Sequence, residues 1–261
     1  MVGSVVHEIF ERIDTSRPLA EEVRVVVAAT ATSKMFDGRH EVLAEMIVRA
    51  MQTPFGGPLG TTCFAHILPA DRLAEMDFEM ALAGIDSGVM ASDVGRVLDR
   101  LLPADDPLRS YVDELCDASF DIPLAGLING SIDAVVRLPG STRESPRLVI
   151  ADYKTNKLHS ANMAQPEEAY AAHHLVAAMA EHHYPLQAVV YGTAVYRMLR
   201  WRLRQADPAD CLAGIVYAFV RGTRGADAPA DAAGRRHGMF VWQPPRDLWP
   251  RLSRLFAGDR P

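Results

Sequence analysis

Asp133, Asp152 and Lys154 are residues whose types and spacing could do chemistry together. They lie on two apolar, β-branched runs, Ile132 to Leu138 and Leu148 to Tyr153. The runs are joined by Pro139-Gly140-Ser141-Thr142-Arg143-Glu144-Ser145-Pro146, a segment dense in turn formers. Such flanks around such a linker predict a β-hairpin. If Leu138 stands opposite Arg147, Asp133 falls opposite Asp152, with Cβ atoms ~5 Å apart, where like charges destabilise a sheet. The period-2 pleat then turns Lys154 to the same face as Asp152. Two facing carboxylates need a cation between them, and a lysine beside them can hold a water or a phosphate. That is the layout of a metal-dependent phosphodiesterase.

An Asp-x-Lys tripeptide on an exposed hairpin is common and carries little by itself. Here Leu148-Val149-Ile150-Ala151 is continuously apolar, which predicts a strand covered on both faces. An aspartate and a lysine ending a buried strand are not an ordinary solvated face. The alignment depends on the register, which a slip of one residue would undo.

The elements that must position these groups follow from periodicity. Val5, Val6, Ile9, Phe10 and Ile13 recur at helical spacing, with Ser4 as a cap, and further helices are expected over 19–33 and 40–51. Residues 74–82 alternate strictly and predict a strand. Helices follow over 91–102 and 107–118, then the hairpin. Residues 167–181 and 186–203 predict two helices broken at Tyr184-Pro185. Strands over 212–220 and 238–242 and a terminal helix over 248–256 complete the chain. The reading is a mixed α+β domain spanning 1–261, with three or four antiparallel strands. Its helical portion and first strand occupy about 1–120, and the hairpin, a long helix and the late strands about 121–261.

Composition narrows the function. The 261 residues are 49% hydrophobic and 23% charged, as for one large globular domain or two small ones. No apolar run reaches the ~18 residues that span a bilayer, and no signal peptide is visible, so no membrane role is expected. Cys63, Cys116 and Cys211 have neither disulfide nor zinc spacing, which fits a reducing cytoplasm. A net charge of −6 argues against a protein that coats nucleic acid generally, though not against a nuclease with an acidic centre. Gly56-Gly57-Pro58-Leu59-Gly60-Thr61-Thr62 lacks the lysine of a phosphate-binding loop, so no ATP site is expected.

Other candidates are weaker. Gln187 and Tyr191 stand about 40° apart around one helix and could aim at one point. Arg197, Arg200 and Arg204 form a second stripe near that helix's C-terminus, where cations favour the dipole, and read as a solvated face rather than a DNA clamp, with phosphate contact left open. His173-His174 and His182-His183 are expected at surface or helix-end positions, with adjacent rings pointing apart. His7 alone would be an ordinary helix histidine.

Taken in order, these segments carry a resemblance. Gly3-Ser4-x-x-His7, Glu75-Met76-Asp77-Phe78, Gly130-x-Ile132-Asp133, Asp152-Tyr153-Lys154-Thr155-Asn156, Tyr184-x-x-Gln187-x-x-x-Tyr191 and Ile215 to Gly222 follow one family's motifs at compatible spacing. The chain resembles, over nearly its whole length, the C-terminal nuclease domain of the RecB family, in the RecB-like branch of the PD-(D/E)xK nucleases. The resemblance implies an α/β/α, restriction-endonuclease-like core around a central mixed sheet, and an exonuclease V type activity on single-stranded DNA or unwound ends in DNA repair and recombination. It also implies His7, Asp133, Asp152 and the carbonyl of Tyr153 as ligands of Mg²⁺. Imidazole is an unusual partner for that ion, so His7 rests on the family alone. Lys154 would act on the attacking water or the phosphate. Glu75 would be an outer ligand or part of a second ion's site, and Gln187 and Tyr191 would support the site or touch DNA. RecC-like and RecD-like subunits and a helicase portion are the implied partners.

Two departures are visible. The chain begins six residues before His7, with no helicase ahead of it, and reads as an excised domain, a truncated product or a free-standing module. His183 also stands before Tyr184 where the family commonly has arginine, which weakens a phosphate contact. Two other functions remain: a non-catalytic truncated domain docking RecC-like and helicase partners, and a Mg²⁺ phosphohydrolase acting on small molecules.

Overall fold

The computed structural model describes residues 2–84, 88–117, 122–159, 166–203 and 206–259. Three helices open the chain: α1 (Val2–Arg12), α2 (Leu19–Thr30) and α3 (His40–Gln52). Strand β1 (Arg72–Ala81), helices α4 (Ala91–Leu101) and α5 (Arg109–Cys116), and strands β2 (Leu127–Arg137) and β3 (Leu148–Lys154) follow. Then come α6 (Ala172–Glu181), α7 (Tyr184–Arg202), α8 (Pro208–Cys211), β4 (Leu212–Phe219), β5 (Met239–Trp242) and α9 (Leu248–Leu255). The expected helix end at Ala118 and Arg204 of the arginine stripe lie outside the described residues. Among those described, no helix is long and apolar enough to cross a membrane.

The strands form one sheet in the order β1-β2-β3-β4-β5. The hairpin has the anticipated register: Arg137 pairs with Leu148, and the Leu138 N–H reaches the Arg147 carbonyl at 2.8 Å. The three or four antiparallel strands read from periodicity are corrected to five strands in a mixed sheet, as the resemblance implied. β3 and β4 run parallel, with Asp152 beside Tyr217. A parallel neighbour needs a long crossover, and here α6 and α7 supply it between Lys154 and Leu212.

Alternation along the strands feeds two separate cores. Val149, Ala151, Tyr153, Val216 and Ala218 pack on Val6, Phe10 and Ile47 of the N-terminal helices. Ile150, Ile215, Tyr217 and Phe219 pack on the opposite side with residues of α4 to α7 and α9. The result is an α+β architecture of helix, sheet and helix layers, and β3 is covered on both faces as its apolar run requires.

α7 begins at Tyr184 rather than Leu186. Pro185 fits its first turn, where the missing N–H would have had no partner in any case. α6 starts only at Ala172, after a 3₁₀ turn over Glu168–Tyr170, so the helix expected from residue 167 is shorter.

Candidate active site

Pairing between β2 and β3 is regular as far as Ala134 and Ala151. At the next position the Asp133 side chain takes over, and its Oδ2 accepts the Tyr153 N–H at 2.7 Å. A carboxylate therefore sits in the notch where the two strands part. Its other oxygen, Oδ1, lies 3.1 Å from His7 Nδ1 on α1. The Tyr153 ring stacks on Phe10 of α1 at 4.0 Å, nearly parallel, and meets His7 edge-on, which fastens that helix to β3 beside the notch.

Asp152 and Lys154 follow on the other face of β3. Asp152 is buried, and its Oδ1 lies 2.7 Å from Lys154 Nζ. The approach is poorly directed, because that oxygen accepts no well-aligned hydrogen bond. Burial pushes the Asp152 carboxyl well above its ordinary value and the Asp133 charge adds to this, while Lys154 and His7 oppose it. His7 is held above 6.5, first by its hydrogen bond to Asp133, then by the charges of Asp133 and Asp152 and a bond to the Tyr153 backbone; burial works against these. The imidazole is thus biased toward its protonated form by the two carboxylates beside it.

Lys154 is fixed from several sides. Its Nζ donates to Gln187 Oε1 at 3.1 Å and stands 3.9 Å from the centre of the Tyr184 ring. A cation over an aromatic face is attracted by the ring quadrupole. Gln187 in turn donates to the Tyr191 hydroxyl at 2.8 Å, and that hydroxyl donates to the Ser131 carbonyl at 2.9 Å. The two α7 residues brace the lysine and tie it back to β2.

Glu75 stands on β1 between the Ala74–Ala134 and Met76–Ile132 pairs, level with Asp133. Its φ of 45° is left-handed, one of two such non-glycine residues among those described. That conformation costs ~1–3 kcal/mol and concentrates at functional sites. Ser131 Oγ donates to its carboxylate at 3.2 Å. Ligand atoms of His7, Glu75 and Asp133 all lie within 4.8 Å of one another. Asp152 is outside that trio and faces Lys154 instead.

The donors fit a hard divalent cation. Carboxylates of Asp133, Asp152 and Glu75 and the Tyr153 carbonyl are oxygen ligands of the kind Mg²⁺ and Mn²⁺ take, and an imidazole suits the second better. The poorly satisfied Asp152 oxygen is a lone pair such an ion would use.

No protein-family model matches the chain. Among curated proteins it is 41% identical over 269 residues to the RecBCD enzyme subunit RecB of Mycobacterium tuberculosis, an alignment covering 99% of this chain and 24% of that protein. RecB of Mycolicibacterium smegmatis is 38% identical over 99% of the chain, and RecB of Escherichia coli 27% over 98%. The chain belongs to the RecB family. It spans about a quarter of the length of the mycobacterial RecB proteins it matches, and the match is consistent with the C-terminal nuclease region of RecB.

Some residues of this candidate site escaped the sequence. Tyr217 donates to Gln187 Oε1 at 3.2 Å and to the Tyr184 carbonyl at 3.1 Å. A lone hydroxyl in the run Ile215 to Phe219 was the available signal, but its meaning depends on the parallel pairing. Ser131 was likewise unremarkable. Two expectations are corrected. Arg197 is not merely solvated, since it bonds the Ala81 carbonyl and Ser253. His173 and His174 are exposed in the first turn of α6, but their rings do not point apart: the centres are 4.0 Å from each other.

Proposed function

We propose that this chain is a Mg²⁺- or Mn²⁺-dependent deoxyribonuclease domain of the PD-(D/E)xK type. The observation that carries the reading is the convergence of His7, Asp133 and the Tyr153 backbone at a strand notch, with buried Asp152 and braced Lys154 beside it. Asp133, Asp152, the Tyr153 carbonyl and His7 would hold the ion, and Glu75 would be an outer ligand or serve a second one. When bound, such an ion lowers the pKa of water and offsets charge on a phosphate. Lys154, held by Gln187 and Tyr184, would present its ammonium to the attacking water or to the phosphate as negative charge develops there. Gln187, Tyr191 and Tyr217 would keep that ammonium in place. His7 would give up its proton when a metal enters, as neutral imidazole is the ligand form.

The relatives are named as subunits of the RecBCD enzyme. On that basis the substrate would be single-stranded DNA or unwound ends during double-strand-break processing in the cytoplasm, with RecC-like and RecD-like subunits and a helicase portion as partners. The second reading, a docking module without catalysis, predicts no metal-dependent chemistry. Incubating the purified chain with linear and circular single-stranded DNA in Mg²⁺, Ca²⁺ or EDTA separates the two. Cleavage in Mg²⁺ alone supports the nuclease, and intact DNA under every condition sinks it.

A further inference from the structure

Where α7 and α9 end side by side, the molecule carries a positive, aromatic pocket that the proposed reaction does not use. α7 finishes in Arg200-Trp201-Arg202, and Trp201 is 92% exposed. The other two tryptophans, Trp242 and Trp249, are fully buried. Next to Trp201 a cavity of about 630 Å³ opens, with Arg197, Arg200 and Arg254 on its wall and no carboxylate among the described residues that line it. Arg197 is held rigidly, donating to the Ala81 carbonyl at 2.8 Å, the Ser253 carbonyl at 2.7 Å and Ser253 Oγ at 3.1 Å. Burial and then the nearby Arg200 charge lower its pKa, so like charges crowd here.

Arginines in a final helical turn have a simpler use, because they offset the dipole. Two helix C-termini contribute roughly half a negative charge each. Against three guanidiniums that leaves a positive surplus, on a chain whose net charge is −6. Dipole compensation also gives no reason for an indole in water. A groove of about 870 Å³ between β1 and α7 runs from Leu73 and Met76, either side of Glu75 in the chain, to Trp201. Along α7 the separation from Tyr191 to Trp201 is ~15 Å at 1.5 Å per residue. Asp77 and Glu79 line the β1 wall of that groove, so the arginine end is where a phosphate fits.

Building on the nuclease reading, we propose that this pocket is a second contact point for single-stranded DNA, with a base stacked on Trp201 and a phosphate held by Arg197, Arg200 and Arg254. Stacking on an aromatic ring is tolerant of sequence, and a groove that pairs it with arginines suits a strand rather than a duplex. The contact would anchor the strand one groove-length away from the bond being cut.

The exposed indole makes the test direct. The 261-residue chain is titrated in EDTA, where no cleavage occurs, with oligothymidylate of about a dozen nucleotides, a length within the usual site sizes. Tryptophan fluorescence is read beside the anisotropy of a fluorescein-labelled copy. Wild type and Asp152→Asn should both be quenched on binding. Trp201→Ala should show no quenching and an affinity lower by roughly fivefold or more. Arg200→Ala/Arg254→Ala should flatten the salt dependence by about 0.7 in log–log slope for each phosphate left without its arginine. Binding without quenching, or unchanged affinity in both variants, would overturn the proposal and leave this face to a protein partner; cleavage in Mg²⁺ would then still uphold the nuclease. Neither binding nor cleavage would overturn both.

Discussion

Asp152 is buried and feels the charge of Asp133, and both raise its carboxyl pKa from the ordinary 3.8. An ionised Asp152 is therefore tolerated in the metal-free protein at a cost in stability. For an acid raised on folding, that penalty grows as pH climbs from the unfolded value through the folded one. His7, raised above 6.5, contributes stability that is complete at low pH and lost as pH rises through its own folded value. The two act in the same direction, so the metal-free melting temperature should fall as pH rises from about 4 to 8. Asp152→Asn should melt higher than wild type at neutral pH without metal and show a shallower slope; differential scanning calorimetry across that range reads both. The same substitution should abolish cleavage. Lys154→Ala should lower the rate by ~10²–10³, the usual loss on removing a preorganised donor, with the circular dichroism spectrum unchanged. Wild-type cleavage in both variants would reduce the Asp-x-Lys sequence to an ordinary hairpin face.

At the scale of elements, α7 both braces Lys154 and forms the seam with α9. A Cβ at Gly192 would stand 2.1 Å from the Trp249 ring, far inside contact distance. Alanine in a helix interior is better than glycine by ~1 kcal/mol, but overpacking a filled core costs ~1–3 kcal/mol, and here the obstacle is a rigid buried indole. Gly192→Ala should therefore lose stability in a urea melt; a gain would mean that the seam is loosely packed. The hairpin was legible in the sequence because its turn residues and apolar flanks mark it, and the register supposed for it, with Leu138 opposite Arg147, is the one that forms and carries Asp133 and Asp152 to the same level. The β3–β4 partnership was not, since nothing local in Leu212 to Phe219 records the direction of its neighbour after a crossover through two helices. Tyr217 was missed for that reason. The left-handed φ at Glu75 was invisible too, because its alternation reads as a smooth strand and glutamate is not among the residues, glycine, asparagine and aspartate, that usually mark that conformation.

For the whole molecule, the decisive feature is that the candidate centre is assembled from distant parts. His7 comes from the first helix, Asp133 from the second strand, and the Tyr153 backbone from the third. Periodicity identified each element but could not bring α1 to the hairpin; only the order of family motifs did. A divalent ion there would tie α1 to the sheet, adding to the Phe10–Tyr153 stack, and would bind the folded chain alone. At a hundredfold excess over its dissociation constant such an ion adds ~2.7 kcal/mol. At roughly 2 °C per kcal/mol for a chain of this size, Mn²⁺ should raise the melting temperature by roughly 5 °C. His7→Ala and Asp133→Asn should lose most of that shift. The second is the sharper test, because an asparagine oxygen can still accept the Tyr153 N–H and hold the strands in register, so the fold survives while the charge that holds the ion is gone. A shift of the same size in Asp133→Asn would place the ion elsewhere, and no shift in wild type would favour the docking module over the nuclease.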